Sequence, residues 1–240
     1  MKYKTNLHFH SSDDPQDNIS YSFKDGLEKA RAFGFDVLAL TCHHIFVATP
    51  EMHRMAKEYG ILFIPGVERS IQKKHVVILN PDQEVEHVST FEDLAEYRRM
   101  HPEILVIAPH PYFRGGFSLN KELDEHIELF DAIEYSWFYS KWFNNNKKAE
   151  RTAKLHNLPF IATSDTHDLR FIDKSYALIE AKEKTIPAIF SAIREKRFTN
   201  ISSPRKVFRD LGRFGIKLTY RNKVKRIKAA VRKSDVRRMS

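Results

Sequence analysis

The chain has a single cysteine in 240 residues, Cys42. One thiol cannot close an internal disulfide, and that scarcity fits a reducing cytoplasm. No apolar run reaches the roughly 18 residues that a membrane-spanning helix needs. An apolar, strand-like run already opens at Tyr3, so no secretory leader is expected. Acidic residues are scarce in one place only. From Ile201 to Ser240 there are 14 Lys and Arg against Asp210 and Asp235, a net of +12, which leaves −3 of the chain's +9 for residues 1–200. The charge shift and Ser202-Ser203-Pro204 place a boundary there, between a slightly acidic body over 1–201 and a basic extension over 202–240.

Within that extension Tyr220, Val224, Ile227 and Val231 recur at helical spacing among basic residues, a narrow apolar stripe on a basic helix. Docking on the acidic body, or simple solvation, is the first reading of this tail. Phosphate contact with nucleic acid is the second, and an anionic membrane surface the third. The body is long enough for one large domain, and the chain is 42% apolar, sufficient for a real core.

What the body does contain is a recurring arrangement of short apolar runs that end in metal-ligand residue types. Tyr3 to Phe9 carries His8 and runs into His10; alternation along a strand puts both imidazoles on one face. Val37 to Leu40 leads to Thr41, Cys42, His43 and His44, and Ile61 to Val67 leads to Glu68. His75 opens Val76 to Leu79, Ile104 to Ala108 leads to His110, and Ala132 to Tyr135 contains Glu134. Phe160 to Thr163 leads to Ser164, Asp165, Thr166 and His167.

Helical patterns lie between these runs, at Phe23 to Phe33, Phe91 to Met100, Tyr139 to His156 and Ala188 to Lys196. Such alternation predicts an α/β fold with a parallel sheet, and seven units approach the count that closes a TIM-like barrel. The carboxyl ends of barrel strands share one rim, so these scattered ligands are expected to meet in space. Taken singly, a histidine is more often a surface or core residue than a ligand. His53, His87, His101, His126 and His156, in helix or loop patterns with no companion carboxylate, are read as bystanders of that kind.

The motifs resemble those of the PHP (polymerase and histidinol phosphatase) family of metal-dependent phosphoesterases. They are His8-Phe9-His10 followed by Asp13 and Asp14, Thr41-Cys42-His43-His44, Pro65-Gly66-Val67-Glu68 with His75, His110-Pro111, and Ser164-Asp165-Thr166-His167. The resemblance implies a distorted (β/α)7 barrel with two or three divalent ions (zinc, manganese or iron) at its rim. One ion would take His8, His10, Glu68 and Asp165. A second would share Glu68 and take His75 and His110, and a third would take Asp14 (Asp13 next in order), His43 and His167. Cys42 and His44 stand where the family usually has aspartates flanking its histidine. Cys42 reads equally as a small buried residue or a soft extra ligand.

Clustered divalent ions polarise phosphoryl oxygens and generate a bridging hydroxide at neutral pH, so hydrolysis of a phosphate ester is the expected chemistry. Glu68 and Asp165 would serve it directly. A phosphate clamp is also expected, with Arg114 first, before Gly115 and Gly116, then Arg170, then Lys73 and Lys74. Tyr112, Phe113, Trp137, Phe138 and Trp142 are read as packing or as a stacking wall for a nucleobase or imidazole. The substrate expected is a nucleotide, an oligonucleotide end or another small phosphomonoester. A histidinol-phosphatase-type enzyme and a non-catalytic binding module are the alternatives.

Overall fold

Val, Ile, Leu and Ala fill the central runs with almost no polar alternation, the pattern of strands covered on both faces. The computed structural model describes residues 1–140 and 143–204; of the basic extension expected over 202–240, all beyond 204 lies outside the described residues, as does Trp142. In chain order the strands are β1 (Lys2–Asn6), β2 (Val37–His43), β3 (Leu62–Ile71), β4 (Lys74–Leu79), β5 (Leu105–Ala108), β6 (Ala132–Ser136), β7 (Phe160–Thr163), β8 (Ser175–Glu180) and β9 (Phe198–Ser202). The helices are α1 (Phe23–Ala32), α2 (Pro50–Glu58), α3 (Phe91–Met100), α4 (Lys121–Glu125), α5 (Asn146–Leu155) and α6 (Ile186–Arg194).

The strands form one sheet in the order β7-β6-β5-β4-β3-β2-β1-β8-β9. All seven expected strands are present. β4, however, runs antiparallel to both its neighbours, and β8 runs antiparallel to β1 and β9. The barrel is thus distorted from the parallel form by two reversed strands. Reversal of β4 follows from its connection: the tight turn at Gln72 and Lys73, both at positive φ, leaves no room for a crossover helix. It also brings His75, at the start of β4, to the rim where the other strands end.

The sheet closes between β7 and β9 through a side chain. Asn200 Oδ1 accepts from Ala162 N at 2.8 Å, and Nδ2 donates to the Phe160 carbonyl at 2.7 Å, so one amide stands in for a strand edge. Asn200→Ala removes both partners from strand backbone, which costs about 1–3 kcal/mol for a buried group. The expected result is a lower denaturation midpoint in urea with an unchanged slope; an unaltered midpoint would show that closure does not depend on this residue.

Alternation along β2 places Val37 and Ala39 inside the barrel and Leu38 and Leu40 against the outer helices. Ile189, Phe190 and Ile193 of α6 join the inner cluster. Arg194 of α6 donates to the Ile104 carbonyl at 2.6 Å and reaches Asp131 at 3.2 Å, both just ahead of a strand. Helix α6 therefore plugs the amino-terminal mouth, and the carboxyl rim stays open for chemistry.

Helix ends follow their capping signals. Ser22 with Asp25 and Thr90 with Asp93 form capping boxes ahead of α1 and α3. Helix α5 is shorter than the Tyr139-to-His156 pattern, because the Asn146 side chain is taken up by the backbone N–H and C=O of Ser136 at 3.1 and 2.7 Å. Among the described residues before it, Tyr139, Ser140 and Phe143 to Asn145 are not helical.

Candidate metal centre

Strand β1 ends at Asn6, short of the run expected to Phe9, yet the chain stays extended. Thr166 N donates to the His8 carbonyl, His10 N to the Thr166 carbonyl and Thr41 N to the Phe9 carbonyl, at 3.2, 3.1 and 2.8 Å. Alternation therefore survives: Phe9 turns outward into the core, and His8 and His10 both face the mouth. Gly26 of α1 makes room for Phe9, since a Cβ there would meet its ring at 2.4 Å. At the ends of β5 and β7 the backbone turns sharply, with His110 at φ 30° and Asp165 at φ 43°. Non-glycine residues take such conformations at a cost, and they concentrate at functional sites.

These turns gather the rim residues about one carboxylate. Glu68 Oε2 lies 3.3 Å from His8 Nε2, 3.4 Å from His10 Nε2 and 3.0 Å from His43 Nε2. Its Oε1 lies 2.7 Å from His75 Nδ1 and 3.1 Å from His110 Nε2. Asp165 Oδ1 is 3.5 Å from His8 Nε2, 3.3 Å from His10 Nε2 and 3.2 Å from His167 Nδ1. At the rim three triads could each hold an ion: His8, His10 and Asp165; His43, Glu68 and His75; and His10, His43 and His167. A fourth group, Glu122, Glu125 and His126, on and just after α4, gives His126 the companion carboxylates its sequence did not suggest.

The donor atoms themselves favour a cation. His8 Nε2, His10 Nε2 and Asp165 Oδ1 are buried and have no hydrogen-bond partner among the described residues, although they lie within ion-pair distance of one another. Atoms that approach closely without bonding are aimed at a shared point. A tetrahedron with metal–ligand bonds of about 2.0–2.1 Å has edges of roughly 3.3–3.4 Å, close to the separations found here.

Electrostatics in the metal-free chain are those of a carboxylate ringed by imidazoles. Burial works against the Glu68 charge, but His75, His8 and His43 hold its carboxyl well below the usual range. Burial likewise opposes the charged form of His43, yet Glu68 and Asp14 push it up to about 10. Burial also opposes charge on His167, where Asp165 and Asp17 prevail and push it up to about 10. His10 moves the other way, lowered by burial and by the neighbouring His167 and His43. A cation entering here displaces protons as it binds.

Asp14 is buried, 2.6 Å from His43 Nδ1 and 3.3 Å from His10 Nδ1, whereas Asp13 is exposed and accepts from Ser11 Oγ. His167 Nε2 meets a different acid, Asp17, at 2.9 Å. Cys42 is buried in the apolar layer beneath the rim, where burial pushes its thiol up to about 12, as befits a packing residue. His44 turns at φ 66° and gives its carbonyl to Arg69.

Of the expected clamps, Arg170 forks onto Asp168 and Lys74 Nζ bonds the carbonyls of Gly116 and Ser118. Arg114 is exposed, its guanidinium 4.8 Å from the Phe143 ring centroid. Gly115 accommodates protein rather than a ligand: a Cβ there would meet the Phe117 ring at 2.6 Å. Glu134 was legible only as part of a strand run. It is fully buried, and its Oε2 lies 3.0 Å from His8 Nδ1 and 3.3 Å from the His110 amide.

Comparison with known proteins agrees with this architecture. The PHP-associated family model matches residues 143–198. A search among curated proteins returns no match. Among solved structures, the chain resembles a two-domain protein of Bacteroides vulgatus containing a predicted PHP-like metal-dependent phosphoesterase, with a TM-score of 0.67 and 18% identity over 84% of this chain and 65% of that one. It also resembles PsfC from Pseudomonas syringae (TM-score 0.63, 15% identity, 84% of this chain and 92% of that one). A third structure of similar fold is the lesion-specific endonuclease PfuEndoQ of Pyrococcus furiosus, with a TM-score of 0.61 and 17% identity over 81% of this chain and 56% of that one. The chain thus spans less than two thirds of the first and third of these. No helix among the described residues is long and apolar enough to cross a membrane. The nearly closed barrel and the matched segment support one statement: the chain has the fold of the PHP-like metal-dependent phosphoesterases, and its residues 143–198 match the PHP-associated family model.

Proposed function

We propose that the chain is a metal-dependent phosphoesterase that hydrolyses a phosphate ester at the carboxyl rim of the barrel. The observation that carries this reading is the convergence of His8 Nε2, His10 Nε2 and Asp165 Oδ1, buried and without hydrogen bonds, beside a carboxylate that five imidazoles approach. His8, His10, Glu68 and Asp165 would hold one divalent ion, and Glu68, His75 and His110 a second. His43 and His167 would hold a third with Asp14, and Asp17 would steady His167 from outside. Bound divalent ions supply an activated water and neutralise charge on the phosphoryl oxygens. Glu68 divides its two oxygens between the two sides of the cluster and keeps the sites in register. Asp165, at the turn that follows β7, would also serve as a proton acceptor. One neighbour is a lesion-specific endonuclease, which makes the phosphodiester of nucleic acid a substrate class to assay beside small phosphomonoesters.

Asp165→Asn tests the reading, because asparagine tolerates the positive φ at that position. With protein purified in manganese, the variant is expected to lose bound ion by mass spectrometry. Turnover of p-nitrophenyl phosphate and its bis ester should fall by about 100-fold or more, equivalent to ~3 kcal/mol. A wild-type chain that binds no ion and gains no activity with manganese or zinc would leave a binding module as the better description.

A further inference from the structure

Beside the ligand cluster stands a row of rings that belongs to none of the three core clusters. Phe117 stacks on His75 at 4.9 Å between centroids and meets His110 edge-on at 5.4 Å. Phe113 lies 6.4 Å beyond Phe117 in a near-parallel orientation, and Phe138 lies 5.3 Å beyond Phe113. The rings come from the loops after β5 and β6, which are adjacent parallel strands, so the row is a product of the topology. Rings recruited for folding are buried, as Phe9 and Phe91 are here. Phe117 is instead 37% exposed and Phe143, under Arg114, 46% exposed, while Phe113 and Phe138 are half-buried. Large apolar surface left open at a polar rim marks a binding surface.

The loop is also built to hold Phe117 where it is. Lys74 Nζ bonds the carbonyls on either side of it, at Gly116 and Ser118, and the lack of a Cβ at Gly115 gives its ring room. Flat rings in sequence, with a basic side chain among them, form the kind of platform on which nucleobases stack. Composition argues the same way. Neither 111–120 nor 137–146 contains Asp or Glu, so a substrate carrying an ammonium group meets no counter-charge in these loops.

Building on the phosphoesterase reading, we propose that the substrate is a nucleoside phosphate, free or at the end of a chain, whose base stacks on Phe117 and Phe113 while its phosphoryl group lies at the ligand cluster. Phe117 is then a specificity-determining residue. Calorimetric titration of the manganese-loaded full chain with adenosine monophosphate and with glycerol phosphate reads stacking directly, whether or not an ester is cleaved. Phe117→Leu is expected to weaken the nucleotide roughly tenfold, the scale of one lost base–aromatic stack. It should leave glycerol phosphate unchanged, and Phe117→Tyr should restore nucleotide binding. Gly115→Ala, which displaces the ring without removing it, should reproduce the loss. Equal affinity of the wild-type chain for both ligands, or equal weakening of both in Phe117→Leu, overturns the proposal. Tighter binding of a short phosphorylated oligonucleotide than of the mononucleotide assigns the source to a chain end, equal binding to a free nucleotide, and either sustains the stack. Failure to turn over any ester while the nucleotide still binds through Phe117 would count against hydrolysis and not against base recognition.

Discussion

Glu68→Gln is expected to strip the chain of its ions and to reduce phosphoesterase turnover by on the order of 10³-fold or more. The substitution keeps the shape of the side chain and removes only its charge. That charge faces His8, His10 and His43 through one oxygen and His75 and His110 through the other, all within 3.4 Å. A neutral amide cannot bridge two cations, and several kcal/mol of charge stabilisation go with it, at about 1.4 kcal/mol for each factor of ten. Metal analysis and kinetics on the same preparation check this. Full metal content with wild-type turnover would mean that the chemistry lies elsewhere in the chain.

A second readout follows from the metal-free protein. His43 and His167 are pushed up to about 10 in the fold, above the 6.5 of an ordinary imidazole. A raised folded-state value stabilises fully below the unfolded value and is lost as pH rises through the folded one. Chelator-treated wild type should therefore lose thermal stability between about pH 6.5 and 10. Glu68 is the largest of the attractions that raise His43. Glu68→Gln should thus lie furthest below wild type at the acid end of that window and converge with it towards pH 10. A constant offset across the window would show that Glu68 acts by packing and not by charge.

That the rim residues meet was legible because, Asp14 apart, each ends or opens an apolar run, and because barrel strands share one rim. Other features depend on partners that no local pattern discloses. Strand β9 reads Phe-Thr-Asn-Ile-Ser, half exposed along its length, and is a strand only because β8 pairs with it and Asn200 reaches β7. Helix α2 has a clear start in Thr49 and Pro50, but its pattern is weakly apolar, with Met52 and Ala56 its buried residues. Asp17 sits in plain view near two other aspartates, and only the fold shows that His167 comes down on it. Gly115 looks like a ligand-approach glycine until Phe117 is seen to lie over it.

Glu134 is the residue that most needed the structure, and Glu134→Ala carries the other large expectation: a 10- to 100-fold loss of metal affinity, the usual cost of removing a group that orients a ligand. Its strand was recognisable, but its partner His8 is 126 residues away in sequence. Glu134 Oε2 accepts from His8 Nδ1 at 3.0 Å, which directs the lone pair of Nε2 towards Asp165 and Glu68. The same oxygen takes the amide of His110 at 3.3 Å, at a backbone turn with φ 30°. One buried carboxylate thus steadies a residue from each side of the proposed cluster without touching substrate. A positioning role separates from a structural one by linkage. Glu134→Gln keeps an oxygen for Nδ1, so it should melt like wild type when metal-free and retain most of its affinity. Glu134→Ala should show its deficit chiefly as a smaller rise in melting temperature on adding manganese, since that rise depends on affinity for the folded state. Saturating manganese should then recover much of its turnover. Equal metal affinity in Glu134→Ala and wild type would remove Glu134 from the machinery and leave His8 oriented by its backbone alone.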